Sequence, residues 1–147
     1  MAKFRYRMQN ILNVKEKLEN QARNEFAIAA ARVNEEEDKL NALILRQKEY
    51  EDVVRGLTSS SLDVFAIKEA TNNIEVMKYL IADQQKVLES VQKQLEIARA
   101  KLTAAMQDRK THEKLKEKEF ESFIAEEAAK ESKEIDELVS FRHGEGK

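Results

Sequence analysis

Few residues in this sequence have the type and spacing that metal or acid–base chemistry needs. His112 and His143 are the only histidines, and neither is followed by a second histidine or a carboxylate that would complete a metal-binding helix face. The acidic run at residues 35–38 does not converge, because consecutive residues of a helix point in different directions. We interpret it as a solvated surface, and we predict no metal site.

Covalent and nucleotide chemistry are equally unsupported by the sequence. The 147 residues include no cysteine, so the chain has no disulfide, thiolate nucleophile or thiolate zinc ligand. Its three glycines, Gly56, Gly144 and Gly146, do not form a phosphate-binding loop pattern. We therefore expect a protein that is not an enzyme, has no catalytic residues and needs no cofactor.

The composition is typical of long helices. Charged residues make up 37% of the chain, aromatic residues 6%, and proline is absent. Proline costs roughly 3 kcal/mol inside a helix, so a chain without it can be helical over most of its length. A net charge of −2 favours neither nucleic acid nor an anionic membrane. Without an apolar run long enough for a membrane span or a signal peptide, we expect a cytoplasmic protein with no direct membrane insertion.

Apolar or small side chains recur at steps of three and four in two long blocks, as in a coiled-coil seam. The first block contains Phe4, Met8, Ile11, Leu18, Ala22, Phe26, Ala29, Val33, Leu40, Leu43, Tyr50 and Val54. The second block contains Ile74, Met77, Ile81, Gln84, Leu88, Val91, Leu95, Ala98, Leu102 and Ala105.

Residues 56–61 are the clear interruption between these blocks. Gly56 suits the left-handed position that closes a helix, and Ser60 with Asp63 matches a helix-opening pattern. A short connection makes two helices antiparallel neighbours. We predict an all-α fold, a long antiparallel two-helix coiled-coil hairpin with a C-terminal helical overhang. Its single domain, 1–147, would have helix one at about 4–55, a turn at about 56–61, helix two at about 62–140 and a tail at 141–147.

The second helix is predicted to outrun the first. If the hairpin folds near residue 59, Phe4 lies opposite about residue 114, because both helices rise about 1.5 Å per residue. The second seam becomes polar there, at Arg109, His112 and Lys116. An apolar pattern resumes at Phe120, Phe123, Ile124, Ala128, Ile135, Leu138 and Val139, which we expect to have no partner within the chain. We predict that this overhang, with the adjacent N-terminal turn, docks another protein.

The N-terminal residues combine positive charge with aromatic rings. Lys3, Arg5 and Arg7 alternate with Phe4 and Tyr6. This pattern is either an ordinary cationic start or a contact with an acidic partner, and the sequence leaves both open.

Three stretches resemble the flagellar export protein FliJ family: residues 4–15 (FRYRMQNILNVK), residues 47–50 (QKEY) and residues 118–137. The chain size, the hairpin position and the overhanging second helix extend the resemblance to nearly the whole chain. The resemblance implies a type III export chaperone that is similar to the central stalk of rotary ATPases. Such a protein would insert the end bearing both termini into the flagellar export ATPase hexamer, and would contact the export-gate membrane protein FlhA and substrate-specific export chaperones.

The resemblance also implies two binding surfaces. The ATPase-ring surface would comprise Phe4, Tyr6, Arg7, Met8, Ile11, Phe123, Ile135, Leu138 and Arg142. The export-gate surface would comprise Leu43, Tyr50, Met77, Leu80 and Gln84. The chain departs from the family pattern near the gate surface, at Arg46, Asn73 and Gln84.

Two other interpretations stay open. The chain could be a structural coiled-coil adaptor, including a homodimer that closes its overhang on a second copy. It could also be the stalk protein of a virulence type III secretion system, which shares the mechanism but not the machine. In the flagellar interpretation the protein is cytoplasmic, serves flagellum biogenesis and motility, and associates with the membrane peripherally through the export apparatus.

Overall fold

The structure, a computed structural model, describes residues 2–60 and 63–145. They form two α-helices, α1 at Gln9–Ser60 (52 residues) and α2 at Val64–Glu145 (82 residues), and no strand. Residues 2–6 precede α1 without regular structure, and residues 7 and 8 form a turn. The helices pack against each other, which confirms the predicted all-α helical hairpin. Over the described residues, neither helix has an apolar stretch that could cross a membrane.

The sequence predicted that α1 ends at Gly56, but the observed end is different. The helix continues to Ser60, and none of the described glycines has a positive φ, so the predicted left-handed position is wrong. Glycine inside a helix is unfavourable by roughly 0.5–1 kcal/mol relative to alanine. Val54 and Leu57 on either side of it are half-buried, and their packing favours continuation of the helix. The last residue of the predicted turn, Ser61, lies outside the described residues.

Asp63 opens α2. The backbone N–H of Ala66 donates to Asp63 Oδ1 at 3.2 Å, and the N–H of Ile67 donates to the Asp63 carbonyl at 3.0 Å. These bonds satisfy N–H groups that the first helical turn leaves free, as an N-cap residue does. Ser60, which the sequence placed at the opening of this helix, is instead the last residue of α1.

The contacts within the chain form two compact units. Unit 2, Ala22–Leu102, contains the apolar part of the coiled coil, with Ala22, Val33, Ala70, Met77, Val91 and Ala98 buried. All the predicted seam positions of α2 from Ile74 to Ala105 are buried or half-buried. The Arg99 guanidinium lies over the Phe26 ring, 5.4 Å from its centroid. The prediction of a single domain stays a prediction.

Unit 1 combines Met1–Gln21 with Thr103–Lys147. Its buried side chains in the described ranges are Tyr6, Leu12 and Glu19. The seam of α1 in this unit therefore differs from the predicted one, since Met8, Ile11 and Leu18 are exposed. Two of the positions that face α2 here are instead Lys15 and Glu19, which pair with charged residues of α2.

Candidate docking surfaces

The N-terminal residues lie against the second helix in unit 1. The Phe4 ring is 5.1 Å from the Phe120 ring at an interplanar angle of 72°, and 5.5 Å from the Phe123 ring at 50°. Edge and tilted contacts of this kind are favourable for aromatic rings. The predictions that Phe4 lies opposite residue 114 and that Phe120 and Phe123 lack an internal partner are wrong. The pairs Lys15–Asp108 and Glu19–Arg109 set the antiparallel register several residues further along α2 than a fold near residue 59 predicts, and this register places Phe4 opposite Phe120.

Residues 2–6, the N-terminal lead, all lie along the same face of α2. Tyr6 is only 8% exposed, and its carbonyl accepts a hydrogen bond from the N–H of Gln9 at 3.2 Å, where α1 begins. Ala2 lines a groove of about 240 Å³ with Phe123, Ile124, Glu127, Ala128 and Glu131. Lys3 and Arg5 line a second groove with Phe4, Glu119, Ser122, Phe123 and Glu126. The lead is therefore a basic and aromatic segment on an acidic helix face.

A polar layer occupies the positions where the sequence showed the seam fading. Arg109 Nε donates to Glu19 Oε2, Arg109 Nη1 lies 2.8 Å from Glu113 Oε2, and Lys15 Nζ lies 2.8 Å from Asp108 Oδ2. At these polar positions of α2, α1 still lies opposite and supplies polar partners. The first helix therefore continues past Arg109, and its first residue, Gln9, lines a groove with Lys116.

This layer shifts the ionisation of two of its members. The hydrogen bonds to Glu113 and Glu19 raise the pKa of Arg109, which keeps its charge. The hydrogen bond from Lys15 holds the pKa of Asp108 below its ordinary value. Both shifts favour the ionised forms that pair across the two helices.

His112 lies at the edge of the polar layer. Its Nε2 is 3.7 Å from Asp108 Oδ1, and its Nδ1 is buried without a hydrogen-bond partner, as is the hydroxyl of Tyr6. Among the described residues, no group of three or more histidine, aspartate or glutamate side chains is placed to hold a metal ion. His112 therefore belongs to the interface between the helices.

The last part of α2 has only exposed side chains over the described residues 128–144. Large apolar side chains lie on it, with Leu138 62% exposed. They are Ile135, Leu138, Val139 and Phe141. This exposed segment was expected from the sequence, although Phe141 was not among the residues assigned to a partner.

The residues assigned to the ATPase ring all belong to unit 1, where they occupy two kinds of position. Arg7, Met8, Ile11, Ile135, Leu138 and Arg142 are exposed. Phe4, Tyr6 and Phe123 are buried or half-buried, and the Phe4 and Phe123 rings contact each other. Phe120 lies outside the predicted set, although its spacing of three from Phe123 puts both rings on neighbouring faces of one helix.

The residues assigned to the export gate all lie in unit 2. Met77 is 8% exposed, and Leu43 and Tyr50 are half-buried, so these three belong mainly to the helix seam. Gln84 Nε2 donates to Glu36 Oε2 at 2.5 Å and to the Glu36 carbonyl at 3.1 Å. Leu80 is the exposed member of the set.

Leu80 has apolar neighbours that lie outside the predicted export-gate surface. Val76, Tyr79 and Val87 are exposed on the same side of α2, and Tyr79 is 72% exposed. Residues three, four and seven positions apart share a helix face, so their spacing was the available signal.

A protein-family model described as "Flagellar FliJ protein" matches residues 4–147. The chain belongs to the FliJ family. The resemblance seen in the sequence is thereby confirmed, and the family places the chain among the components of the flagellar type III export apparatus.

A solved structure shares the fold. The chain resembles a structure described as a putative YscO homolog, CT670, from Chlamydia trachomatis, with a TM-score of 0.63 and 19% sequence identity. The likeness covers 96% of each chain. A comparison with curated proteins gives no match.

Proposed function

We propose that this protein is a non-catalytic, stalk-like regulator of the flagellar export ATPase ring. One observation carries the proposal: the C-terminal part of α2 is exposed on all sides over the described residues 128–144 and bears large apolar side chains. A single amphipathic helix is only marginally stable in water, and exposed apolar faces of this kind are typical of protein interfaces. The bore of a hexamer would cover such a helix.

The exposed members of the ring set form the proposed contact surface. Met8 and Ile11 are exposed near the start of α1, in the same unit as Ile135 and Leu138 on α2. Arg7 and Arg142 add charge that can pair with acidic groups of the ring. Phe4, Tyr6 and Phe123 are engaged within the free chain and are not part of this exposed surface.

The test is ATP hydrolysis by the flagellar export ATPase of the same organism, with and without the chain, together with light scattering to follow hexamer assembly. We expect stimulation by the wild-type chain. The double variant Ile135→Asp, Leu138→Asp should lose it, because two charges enter the proposed apolar contact. Both residues are exposed, so the variant should fold.

The matched control is Ser132→Asp with Ser140→Asp, which adds the same charge at exposed positions of the same segment. It should retain stimulation. These point variants are sharper than ending the chain after Met106, which would also remove Arg109 and Phe120, the partners of Glu19 and Phe4. No stimulation and no association with the ATPase would contradict the stalk role and leave a coiled-coil adaptor.

We further propose that the chain contacts the export gate, through FlhA, and export chaperones, and that it is a cytoplasmic protein held at the membrane by the export apparatus. Leu80 supports the gate contact because it is exposed, with Val76 and Tyr79 beside it. Leu80→Asp should weaken binding to the cytoplasmic part of FlhA, while Lys86→Asp, an exposed position nearby, should not. Equal binding by both variants would contradict this surface.

A further inference from the structure

The N-terminal lead and the helix face under it have opposite charge. Residues 2–7 contain three basic residues and no acidic one. Residues 117–137 of α2 contain nine acidic and three basic residues, a net charge of −6. Glu119, Glu126, Glu127 and Glu131 line the two grooves that Ala2, Lys3 and Arg5 also line.

The face under the lead continues into the exposed C-terminal segment. At about 100° per residue, Phe120, Ile124, Ile135 and Leu138 lie within about 60° of one another around α2. They therefore lie on one side of α2, which Glu127 and Glu131 interrupt between Ile124 and Ile135. Phe4 covers its first part, at Phe120, and nothing in the described chain covers its last part.

The lead is attached mainly by side chains. Residues 2–6 have no regular structure, and the backbone hydrogen bond found at this segment joins Gln9 N–H to the Tyr6 carbonyl, at the start of α1. A segment without a backbone ladder can leave its site when its ring contacts are replaced.

We propose that residues 2–7 form a removable strap, which covers the aromatic part of the docking end in the free chain and is displaced when the export ATPase ring binds. The inference rests on the proposed function and adds a regulatory step to it. In the free chain the strap lowers the fraction of molecules that can bind the ring, so the apparent affinity is reduced by that fraction.

The first test is Phe4→Ala in the full chain. If Phe4 holds the strap down, its removal frees Phe120 and Phe123, and the affinity for the ATPase should rise by about threefold or more. If Phe4 is itself a contact of the ring, the affinity should fall instead. A fall would overturn the strap.

The second test locks the strap in place. Ala2 and Ala128 line the same groove, and the chain contains no cysteine, so Ala2→Cys with Ala128→Cys introduces two unique thiols. A short bis-methanethiosulfonate should crosslink them within one molecule, faster than in the control Ala2→Cys with Ala125→Cys. The crosslinked chain should stimulate the ATPase about fivefold less or weaker still, and reduction with dithiothreitol should restore stimulation.

The outcomes separate the strap from the proposed function. Crosslinking no faster than in the control shows that the lead does not lie on this face and overturns the strap. Equal stimulation by the locked and reduced forms shows that the strap need not move, which overturns it while the stalk role stands. An absence of stimulation by the wild-type chain contradicts the stalk role and the regulatory step together. The crosslink yield can be measured without the ATPase. It should fall at high salt because the contact joins opposite charges.

Discussion

Glu19 on α1 accepts a hydrogen bond from Nε of Arg109 on α2, and the Glu19 side chain is only 7% exposed. A buried carboxylate needs such a partner, because its desolvation is otherwise uncompensated. This pair fixes the register of the two helices in unit 1 at a level where the seam has few apolar residues. It explains why the seam positions of α2 become polar without losing their partner helix.

Arg109→Leu should destabilise the chain clearly, because it removes the guanidinium that compensates the buried Glu19 carboxylate. Adding Glu19→Leu should recover most of the loss or exceed the wild type, since an apolar pair can replace a buried ion pair without penalty. Thermal unfolding followed by circular dichroism measures both effects. A double variant no more stable than Arg109→Leu would show that the pair is not a coupled buried unit.

Gly56→Ala should stabilise the chain by roughly 0.5–1 kcal/mol. Gly56 lies within α1 without a positive φ, and a Cβ placed there would meet no atom within 4 Å. Gly144→Ala is the matched control, because it has the same free space but lies in the last turn of α2, where a helix frays. Destabilisation by Gly56→Ala in chemical unfolding would instead support the left-handed helix end that the sequence predicted.

Asp63→Ala should cost about 1 kcal/mol of stability, the usual loss for an N-cap residue. The Asp63 carboxylate accepts the hydrogen bond from Ala66 N–H, which the variant removes. Asp63→Asn keeps an acceptor and should lose much less. Urea unfolding compares the three chains, and an equal loss in both variants would mean that the charge, rather than the cap, matters.

Glu36 should make the stability depend on pH. Its hydrogen bonds, first from Gln84 and then from Lys39, hold the pKa of Glu36 below the ordinary glutamate value of about 4.3. A pKa that is lower in the folded chain gives stability that is present above about 4.3 and is lost as the pH falls through the folded value.

Gln84→Leu should therefore make the stability fall less between about pH 5 and about pH 3, because it removes the main cause of the shift. The slope of stability against pH is the quantity to compare, since leucine in the seam also changes the packing. Gln85→Leu, at an exposed position, is the control and should keep the wild-type slope. Unchanged slopes in both variants would show that the Gln84 bond does not set the pKa of Glu36.

The helical hairpin, the seam of α2 and the exposed C-terminal segment could be predicted from the sequence alone. The absence of proline and the recurrence of apolar residues at steps of three and four are local properties of the sequence. Met77, Val91 and Ala98 are buried, as this spacing predicted. The exposure of Leu138 followed from the greater length of the second block.

The end of α1, the pairing of the two helices and the contact that covers Phe120 depend on tertiary packing. Gly56 is helical although its own preference is to end a helix, because Val54 and Leu57 gain burial on either side of it. Phe4 lies against Phe120 because the helices pair further along α2 than a fold near residue 59 predicts, and Glu19 pairs with Arg109 across 90 residues of sequence. These features depend on contacts between residues that are far apart in the sequence, and local spacing cannot predict such contacts.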